Sequence, residues 1–326
     1  MLKAIQRVVL FSVCLLPALS VLQALAAEDA FPSRTIRWVV PYPPGGTTDI
    51  LARIMAQRLS ERINQQVVVD NRGGAGNNIG TDIALKAQPD GYTLLLVNPA
   101  NAINATLYTK LPFDFLRDWA PVAGIIRVPN VMEVTNSLPA KTVAEFIAHA
   151  KANPAKVILA SSGSGTSVHL SGELFKSMAG VDLTHVPYKG AGPAFPDLIG
   201  GQVHVMFDNM PSSIEFIKTG KLRALGVTTA KRSAQLPDVP TVAETVVGYE
   251  ASAWFGVGMQ KGAPAANIAR LNREINAILA EPKTRARLAE LGGDPLIGTP
   301  AEFGALHAAE TEKWAKVVKA SGARVE

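Results

Sequence analysis

The chain has 326 residues, with 32 Lys and Arg against 27 Asp and Glu, a formal net charge of +5 and a single cysteine. It contains no run of Lys or Arg and no basic helix face, which argues against nucleic acid or a membrane surface as a partner. A chain of this length suggests two domains.

The first residues have the organisation of a secretory signal. Lys3 and Arg7 precede the apolar segment 8–22, and a small-x-small sequence ends at Ala26. We therefore expect a Sec-type signal peptide, residues 1–26, that is cleaved after Ala26 or Ala27 and directs the chain to the periplasm. An uncleaved anchor is the alternative, but a proline and a serine interrupt the apolar run.

The cysteine content of the exported chain follows from this cleavage. Cys14 lies inside the predicted signal, so the mature chain of about 300 residues would contain no thiol. Disulfides, a cysteine nucleophile and a thiolate metal site are then all excluded.

In chain order, short apolar strands alternate with amphipathic helices. The first part of the chain has predicted strands at Ile36–Val40, 67–69 and Thr93–Val97 and helices at 49–62 and 79–87. Short apolar strands separated by helices indicate a parallel sheet that is buried on both faces.

The middle of the chain repeats this pattern, and its end is mainly helical. Capping boxes are predicted at Thr142–Glu145 and Thr299–Glu302, each at the start of a helix. The remaining predicted elements are strands at 157–160, 183–186, 203–207, Leu222–Val227 and 254–259 and a helix at 267–279. The sequence therefore predicts an α/β fold.

Two apolar segments, 122–134 and 253–259, are interpreted as crossover strands between two lobes. Lobe 1 would comprise residues 27–125 and 252–326, and lobe 2 would be the inserted segment 126–251. Two crossovers would permit hinge closure over a cleft. Two rigidly docked domains are the alternative.

The junction YPPGGTTD at 42–49 exposes more backbone than a plain turn needs. Gly45 and Gly46 would let N–H groups approach a ligand closely, and the next helix would present its free N–H groups and positive dipole end. Thr47 and Thr48 add hydroxyl groups. These features predict a site for an anion, and ligands of open parallel sheets bind at such strand ends.

Similar junctions follow four other strands. They are NRGGAGNNIG at 71–80, VNPANA at 97–102, SSGSGTS at 161–167 and KGAGPA at 189–194. One glycine-rich turn is usually no more than a turn. Their recurrence predicts a cleft lined by N–H and O–H donors from both lobes, which could bind a carboxylate without ion pairs.

Three titratable residues near these junctions each have two interpretations. His169 either points into the cleft or supports its loop, and Asp208 either orders a loop or accepts a hydrogen bond from the ligand. Asp49 is either an acidic residue that stabilises the first turn of a helix or a residue whose side chain holds the preceding loop in place. Arg72 and Lys189 are interpreted as solvated cations.

The sequence contains no strong enzyme motif and no strong metal-binding motif. No dinucleotide or Walker-A loop and no G-x-S-x-G elbow is present. A serine hydrolase using Ser162 or Ser164 with His169 is the alternative from a different functional class. The pair His307 and Glu310 is interpreted as a solvated helix face rather than a metal site, so we expect no metal, no cofactor and no catalytic residue.

The chain resembles the Bug, or TctC-like, periplasmic solute-binding receptors of tripartite tricarboxylate transport systems over nearly all of its mature length. The segments that carry the resemblance are YPPGGTTD, NRGGAGNNIG, PDGYTLLL, SSGSGTSVHLSGELF, VPYKGAGPAFPDLIGGQVHVMFDN and GKLRALGVTTAKRSAQLPDVPTVAE. The resemblance implies a two-lobed type II periplasmic binding-protein fold, in which each lobe is a mainly parallel sheet flanked by helices. The two crossover strands would form the hinge.

The same resemblance implies a receptor, not an enzyme, that captures a small carboxylate (a di- or tricarboxylate, an amino acid or an aromatic acid). It would act as a monomer and pass the ligand to a TctA/TctB-type membrane permease; a ligand-sensing role for a membrane kinase is the alternative. The implied ligand-binding residues are Tyr42, Gly45, Gly46, Thr47, Asp49, Asn77 and Asn78 in lobe 1 and Ser161, Ser162, Gly163, Thr166, His169, Gly190, Ala191 and Asp208 in lobe 2.

Departures from the family pattern concern specificity. Gly73 stands where the family often has proline, Asn77 where it often has glycine, and His204 where aspartate is common. The junction with Asn98 and Asn101 is also unusual. We include Asn98 and Asn101 as ligand-binding candidates. Asn77 and Asn101 could contact the far end of a ligand.

Overall fold

The computed structural model describes residues 31–321, with side chains placed through Lys319, so the predicted signal peptide lies outside the described residues. The strands are β1 Ile36–Val40, β2 Val67–Asn71, β3 Thr93–Val97, β4 Trp119–Thr135, β5 Ile158–Ser161, β6 Thr184–Pro187, β7 Val205–Asn209, β8 Leu222–Val227, β9 Ser252–Gln260 and β10 Asp294–Pro295. The α-helices are α1 Thr47–Ile63, α2 Asn78–Leu85, α3 Pro99–Leu107, α4 Phe115–Asp118, α5 Val143–Ala152, α6 Ser167–Ala179, α7 Ala191–Gly200, α8 Met210–Lys218, α9 Ala265–Ala280, α10 Pro282–Glu290 and α11 Pro300–Ser321.

The strands form one curled sheet in the order β2-β1-β3-β9-β4-β7-β5-β6, and β8 and β10 also pair with β4. Strand β1 is parallel to β2 and β3, and β5 is parallel to β6 and β7. The pairs made by β4 and β9 are antiparallel. The fold is therefore a mixed α/β sheet with flanking helices, which confirms the predicted two-lobed type of architecture.

Strand β4 belongs to both ends of this sheet. Its residues 119–129 pair with β9, whereas residues 130–135 pair with β7 and β8. We call β2, β1, β3, β9, β10 and residues 119–129 the first half, and β5, β6, β7, β8 and residues 130–135 the second half. The predicted crossover segment 122–134 lies within β4, and the predicted segment 253–259 lies within β9.

Each half has its own apolar core. Trp38 and Met55 lie in the core of the first half, and Phe146 and Phe175 lie in that of the second. Ile103 of α3 and Trp314 of α11 also pack in the second core, although their helices belong to the segments predicted for lobe 1. The exact lobe boundaries stay a prediction.

The two helices that were predicted to begin with a capping box both have a capped N-terminus. Thr299 Oγ1 accepts from the Glu302 N–H and the Glu302 carboxylate accepts from the Thr299 N–H, which completes the predicted box. At the other predicted box, Thr142 Oγ1 accepts from the Glu145 N–H, but the Glu145 carboxylate accepts from the backbone N–H of Lys141 instead of that of Thr142. No helix within residues 31–321 is long and apolar enough to span a membrane.

Candidate ligand-binding cleft

Five helix N-termini meet between the two halves of the sheet. Helices α1 and α3 begin there from the first half, and α6, α7 and α8 begin there from the second, because each follows the carboxyl end of a strand. The N-caps of α1, α7 and α8 are Gly46, Gly190 and Asn209, and none of them makes a side-chain cap. The first N–H groups of these helices, together with their positive dipole ends, are therefore available to an anion.

The loop before α1 is held by the buried carboxylate of Asp49. It accepts from the Gly45 N–H at 3.1 Å, from Arg53 Nε at 2.9 Å and from Asn71 Nδ2 at 3.1 Å. Burial acts to raise the pKa of Asp49, but the hydrogen bonds from Arg53, Gly45 and Asn71 outweigh it and lower the pKa. The structure thus places Asp49 as the residue that orders the loop.

The tips of the α1 and α7 junctions touch each other. A Cβ atom added to Gly192 would lie 2.6 Å from the Pro44 carbonyl oxygen, and one added to Gly46 would lie 3.7 Å from Ala191 Cβ. Such a close approach of two backbones requires glycine at position 192.

A second contact joins the α2 and α6 junctions. A Cβ at Gly76 would lie 2.1 Å from the Ser164 carbonyl oxygen, and the φ of Gly76 is +56°. A Cβ at Gly165 would lie 2.0 Å from Asn104 Oδ1. The two halves are therefore in contact at two separate pairs of junctions, which identifies this conformation as a closed one.

Asparagines form a buried network behind the first-half wall of the cleft. Asn98 Nδ2 donates to Asn77 Oδ1 at 3.0 Å, and Asn77 and Asn101 both donate to Thr81 Oγ1. Asn98 and Asn101 also form a reciprocal cap at the start of α3. The side chains of Asn77 and Asn101 are thus engaged with protein groups, and Asn98 is the member of this network that lines the cleft.

The Asn78 side chain belongs to the same wall. Its Oδ1 accepts from Asn104 Nδ2 at 3.0 Å, while its own Nδ2 is buried without a hydrogen-bond partner among the described residues.

Two stacked histidines support the SSGSGTS loop. The rings of His169 and His185 are 4.1 Å apart, Gly165 N–H donates to His169 Nδ1, and His185 Nε2 lies 2.7 Å from Ser161 Oγ. Ser161 Oγ also accepts from the Gly163 N–H. Burial lowers the pKa of His169 to about 4 and that of His185 to about 3, so both rings are neutral near pH 7. His169 therefore supports the loop and does not line the cleft.

Thr166 has two hydrogen bonds within the protein. Its hydroxyl donates to the Gly163 carbonyl at 2.8 Å and accepts from the His169 N–H at 3.2 Å, so it caps α6 as well as lining the cleft.

The second-half floor of the cleft contains a buried carboxyl group. Asp208 accepts from Ser212 and Ser213 of α8, and Ser212 Oγ lies 2.8 Å from Thr47 Oγ1 of α1. Burial raises the pKa of Asp208 to about 6. Among the described residues that line the cleft, Asp208 is the one carboxyl group, and none is Lys, Arg or His.

The cavity in the cleft measures about 20 Å³, which is room for about one water molecule. Larger ligands require the halves to separate. Eight predicted residues line this cavity: Tyr42, Gly46, Thr47, Asn98, Ser162, Thr166, Ala191 and Asp208. The predicted residues that do not line it in this conformation are Gly45, Asp49, Asn77, Asn78, Asn101, Ser161, Gly163, His169 and Gly190.

The interpretation of His307 and Glu310 as a solvated face is wrong. His307 is fully buried among Phe115, Trp119 and Trp254, and Glu310 accepts from Trp314 Nε1 at 2.9 Å. Both polar side chains of α11 are thus buried, and the rings around His307 come from α4, β4 and β9. Within residues 31–321, no group of three or more His, Cys, Asp or Glu has a metal-site arrangement.

Comparison with known proteins decides the family. Residues 51–323 match the family model described as the tripartite tricarboxylate transporter family receptor, TctC. The chain belongs to this family.

The relatives of this TctC-family receptor include Protein BugT of Bordetella pertussis, which is 40% identical over 93% of the chain and 94% of BugT. Among solved structures, R. palustris Rpa4515 with adipate is 42% identical and has a TM-score of 0.88, covering 90% of this chain and 98% of that one. MatC from Rhodopseudomonas palustris with bound malate is 30% identical, with a TM-score of 0.84, covering 88% and 100%.

The structure of this TctC-family receptor does not bring together the serine and histidine that the hydrolase alternative requires. His169 Nδ1 accepts from the Gly165 N–H, which leaves it unavailable as a base for Ser162 or Ser164. The serine that does approach a histidine is Ser161, beside His185, and Ser161 is fully buried. That hydroxyl is not exposed in this conformation.

Six lining residues of the receptor are absent from the list of ligand-binding residues that the sequence predicted. Thr48 was recognised only as a hydroxyl group of the first junction, and Ser167 and Asn209 immediately follow residues of that list. Phe255 gave no polar signal, because it lies in the apolar part of strand β9. The complete set is Pro43, Thr48, Pro99, Ser167, Asn209 and Phe255.

Proposed function

We propose that this protein is a periplasmic receptor that binds a small carboxylate, with dicarboxylates as the first class to test, between the two halves of its sheet. The observation that carries the proposal is the convergence of five helix N-termini on a cleft without Lys, Arg or His among its described lining residues. Backbone N–H groups and hydroxyls would then bind the carboxylate in place of ion pairs. The adipate and malate bound to the two R. palustris relatives support this ligand class.

The ligand cycle we propose involves opening and closing. The halves separate at the segments that join them, the carboxylate enters, and the contacts of the glycine tips re-form around it. No chemical step occurs, and the protein acts as a monomer that delivers the ligand to a TctA/TctB-type membrane permease. The contact between Gly192 and the Pro44 carbonyl supports closure as part of binding, because it places both walls within reach of one small molecule.

Binding of adipate and malate to the purified mature protein tests the ligand class. We expect each bound acid to raise the melting temperature by mass action, by the equivalent of about 2.7 kcal/mol at a ligand concentration of 100 Kd. Citrate, aspartate and benzoate extend the panel, and dimethyl adipate is the uncharged control. An equal shift with dimethyl adipate, or no shift with any acid, would refute the proposal.

A proline substitution tests the role of the N–H groups. Ala191 is the first residue of α7, where proline is compatible with a helix, so Ala191→Pro removes one N–H donor at the cleft. We expect weaker binding of whichever acid binds the wild type. The matched control is Ala265→Pro, at the exposed first residue of α9. Equal affinity of both variants would exclude the α7 N-terminus as a ligand contact.

A further inference from the structure

Two buried carboxyl groups lie next to each other at the floor of the cleft. Strands β4 and β7 are antiparallel, with Val131 opposite Asp208 and Glu133 opposite Met206. Glu133 and Asp208 are therefore diagonal neighbours on one face of the sheet. Glu133 is 0% exposed and Asp208 is 1% exposed.

One hydroxyl group connects the two carboxyls. Ser213 Oγ lies 2.9 Å from Glu133 Oε1 and 3.1 Å from Asp208 Oδ2. A hydroxyl has a single proton to donate, so two ionised carboxylates would leave one of these contacts without a full hydrogen bond. Both contacts are satisfied when one of the carboxyls is protonated and donates to Ser213.

The second oxygen of Glu133 supports the same conclusion. Glu133 Oε2 is buried and has no hydrogen-bond partner among the described residues. An ionised carboxylate with an unpaired buried oxygen is costly, whereas a neutral carboxyl group removes most of that cost.

No cation among the described residues compensates the pair. Within residues 31–321, neither carboxyl makes an ion pair, and the elements packed against them direct their charged groups elsewhere. Arg223 of β8 donates to the carbonyls of Leu138 and Ala140, His169 of α6 bonds the Gly165 N–H, and Asp197 of α7 accepts from Tyr188. The charged residues of α8, Glu215 and Lys218, lie beyond the serines on its more exposed surface.

The position of Asp208 connects this pair to the ligand. Asp208 lines the cleft, so an anionic ligand would enter close to its carboxyl group. Two like charges in a poorly solvated site repel each other strongly, and protonation of the protein carboxyl removes the repulsion and creates a donor.

We propose that Glu133 and Asp208 form one proton-binding site that takes up a further proton when a carboxylate occupies the cleft, so that the receptor captures the ligand anion together with a proton. The proton comes from solvent and returns to it when the ligand leaves. The inference rests on the proposed function, because it needs a carboxylate in the cleft. Glu133 does not touch the cleft and acts as a positioning residue for the proton on Asp208.

Calorimetry with adipate and malate in buffers of different ionisation enthalpy measures the coupling. Between about pH 6 and about pH 8, we expect net uptake of up to one proton per ligand and a Kd that rises by up to tenfold per pH unit. Asp208→Asn should abolish the uptake, and Glu133→Gln should move it to lower pH. The matched control, Glu215→Gln on the exposed surface of α8, should take up protons as the wild type does. Wild-type binding without proton uptake would overturn the proposal and leave the proposed function intact.

Infrared titration of the ligand-free protein tests the shared proton without any ligand. We expect a protonated carboxyl band that persists through the range from about pH 6 to about pH 8 in the wild type and in Glu215→Gln and is lost or shifted in Asp208→Asn and in Glu133→Gln. Absence of the band from the wild type would refute the shared proton. Failure of both acids to bind would instead contradict the dicarboxylate function and the coupling, and the infrared result would still decide whether the pair holds a proton.

Discussion

Thr47 Oγ1 and Ser212 Oγ are 2.8 Å apart, and this buried hydrogen bond joins the first turn of α1 to the first turn of α8. The two helices follow strands in different halves of the sheet. The bond therefore exists when the halves are together, and it extends through Ser212 to Asp208 at the floor of the cleft.

Removing the Thr47 hydroxyl should weaken the closed state. We expect Thr47→Val to raise the Kd for adipate by about 2–10-fold, since a typical hydrogen bond contributes about 0.5–1.5 kcal/mol. The control is a double-mutant cycle with Ser212→Ala, because the two changes remove the same bond and should not add. Additive effects measured by calorimetry would show that the two hydroxyls are not coupled in the ligand-bound protein.

Thr166 should affect both stability and binding. The sequence suggested only a donor at the cleft, but Thr166 also caps α6, so we expect Thr166→Val to lower the free energy of unfolding by about 0.5–2 kcal/mol. Thr166→Ser keeps the hydroxyl and should retain both stability and affinity. Denaturant unfolding and calorimetry check the two quantities separately. A valine variant of wild-type stability would contradict the capping role.

A side chain at Gly76 should block closure. A Cβ there would lie 2.1 Å from the Ser164 carbonyl oxygen of the facing junction. We expect Gly76→Ala to raise the Kd for adipate more than tenfold and to shift small-angle scattering towards a more open molecule.

The matched control for this change is Gly180→Ala. Gly180 has a similar φ of +62°, but no atom lies within 4 Å of the added Cβ. Gly180→Ala should therefore lower the free energy of unfolding by about 1–2 kcal/mol through backbone strain and leave the Kd for adipate unchanged. Equal affinity losses in both variants would mean that strain, not the contact between halves, limits binding.

His307 should make the fold sensitive to acid. Burial lowers its pKa to about 4, so the unfolded chain binds a proton more readily than the folded one between about pH 6.5 and about pH 4. Stability from this residue is present above pH 6.5 and is lost as the pH falls towards 4. We expect His307→Phe to gain up to about 3 kcal/mol relative to wild type over that range.

The pH dependence separates this effect from packing. Phe303→Leu alters the same aromatic cluster without removing a titrating group, so its stability difference from wild type should be constant with pH. A constant difference for His307→Phe as well, measured by urea unfolding at each pH, would show that His307 is not held neutral by burial.

Much of the fold was accessible from local sequence. Apolar runs located strands β1 to β9 to within about three residues, whereas β10 was not predicted. Thr299 with Glu302 marked the start of α11 correctly. The site was predicted less completely. Tyr42, Gly46 and Ala191 line the cleft, whereas His169 and Asp49 support its loops, because each accepts a hydrogen bond from a backbone N–H group of its own loop.

The sequence by itself determined where backbone would be exposed, since glycine, threonine and asparagine after a strand carry that information locally. The tertiary structure alone decided which groups meet from distant segments: Thr47 with Ser212, Glu133 with Asp208, and His307 with the aromatic rings around it. Periodicity reports which face of an element is apolar. Periodicity does not report which neighbouring element covers a polar side chain. Burial under that element determines which hydrogen bonds the side chain makes and whether it is protonated.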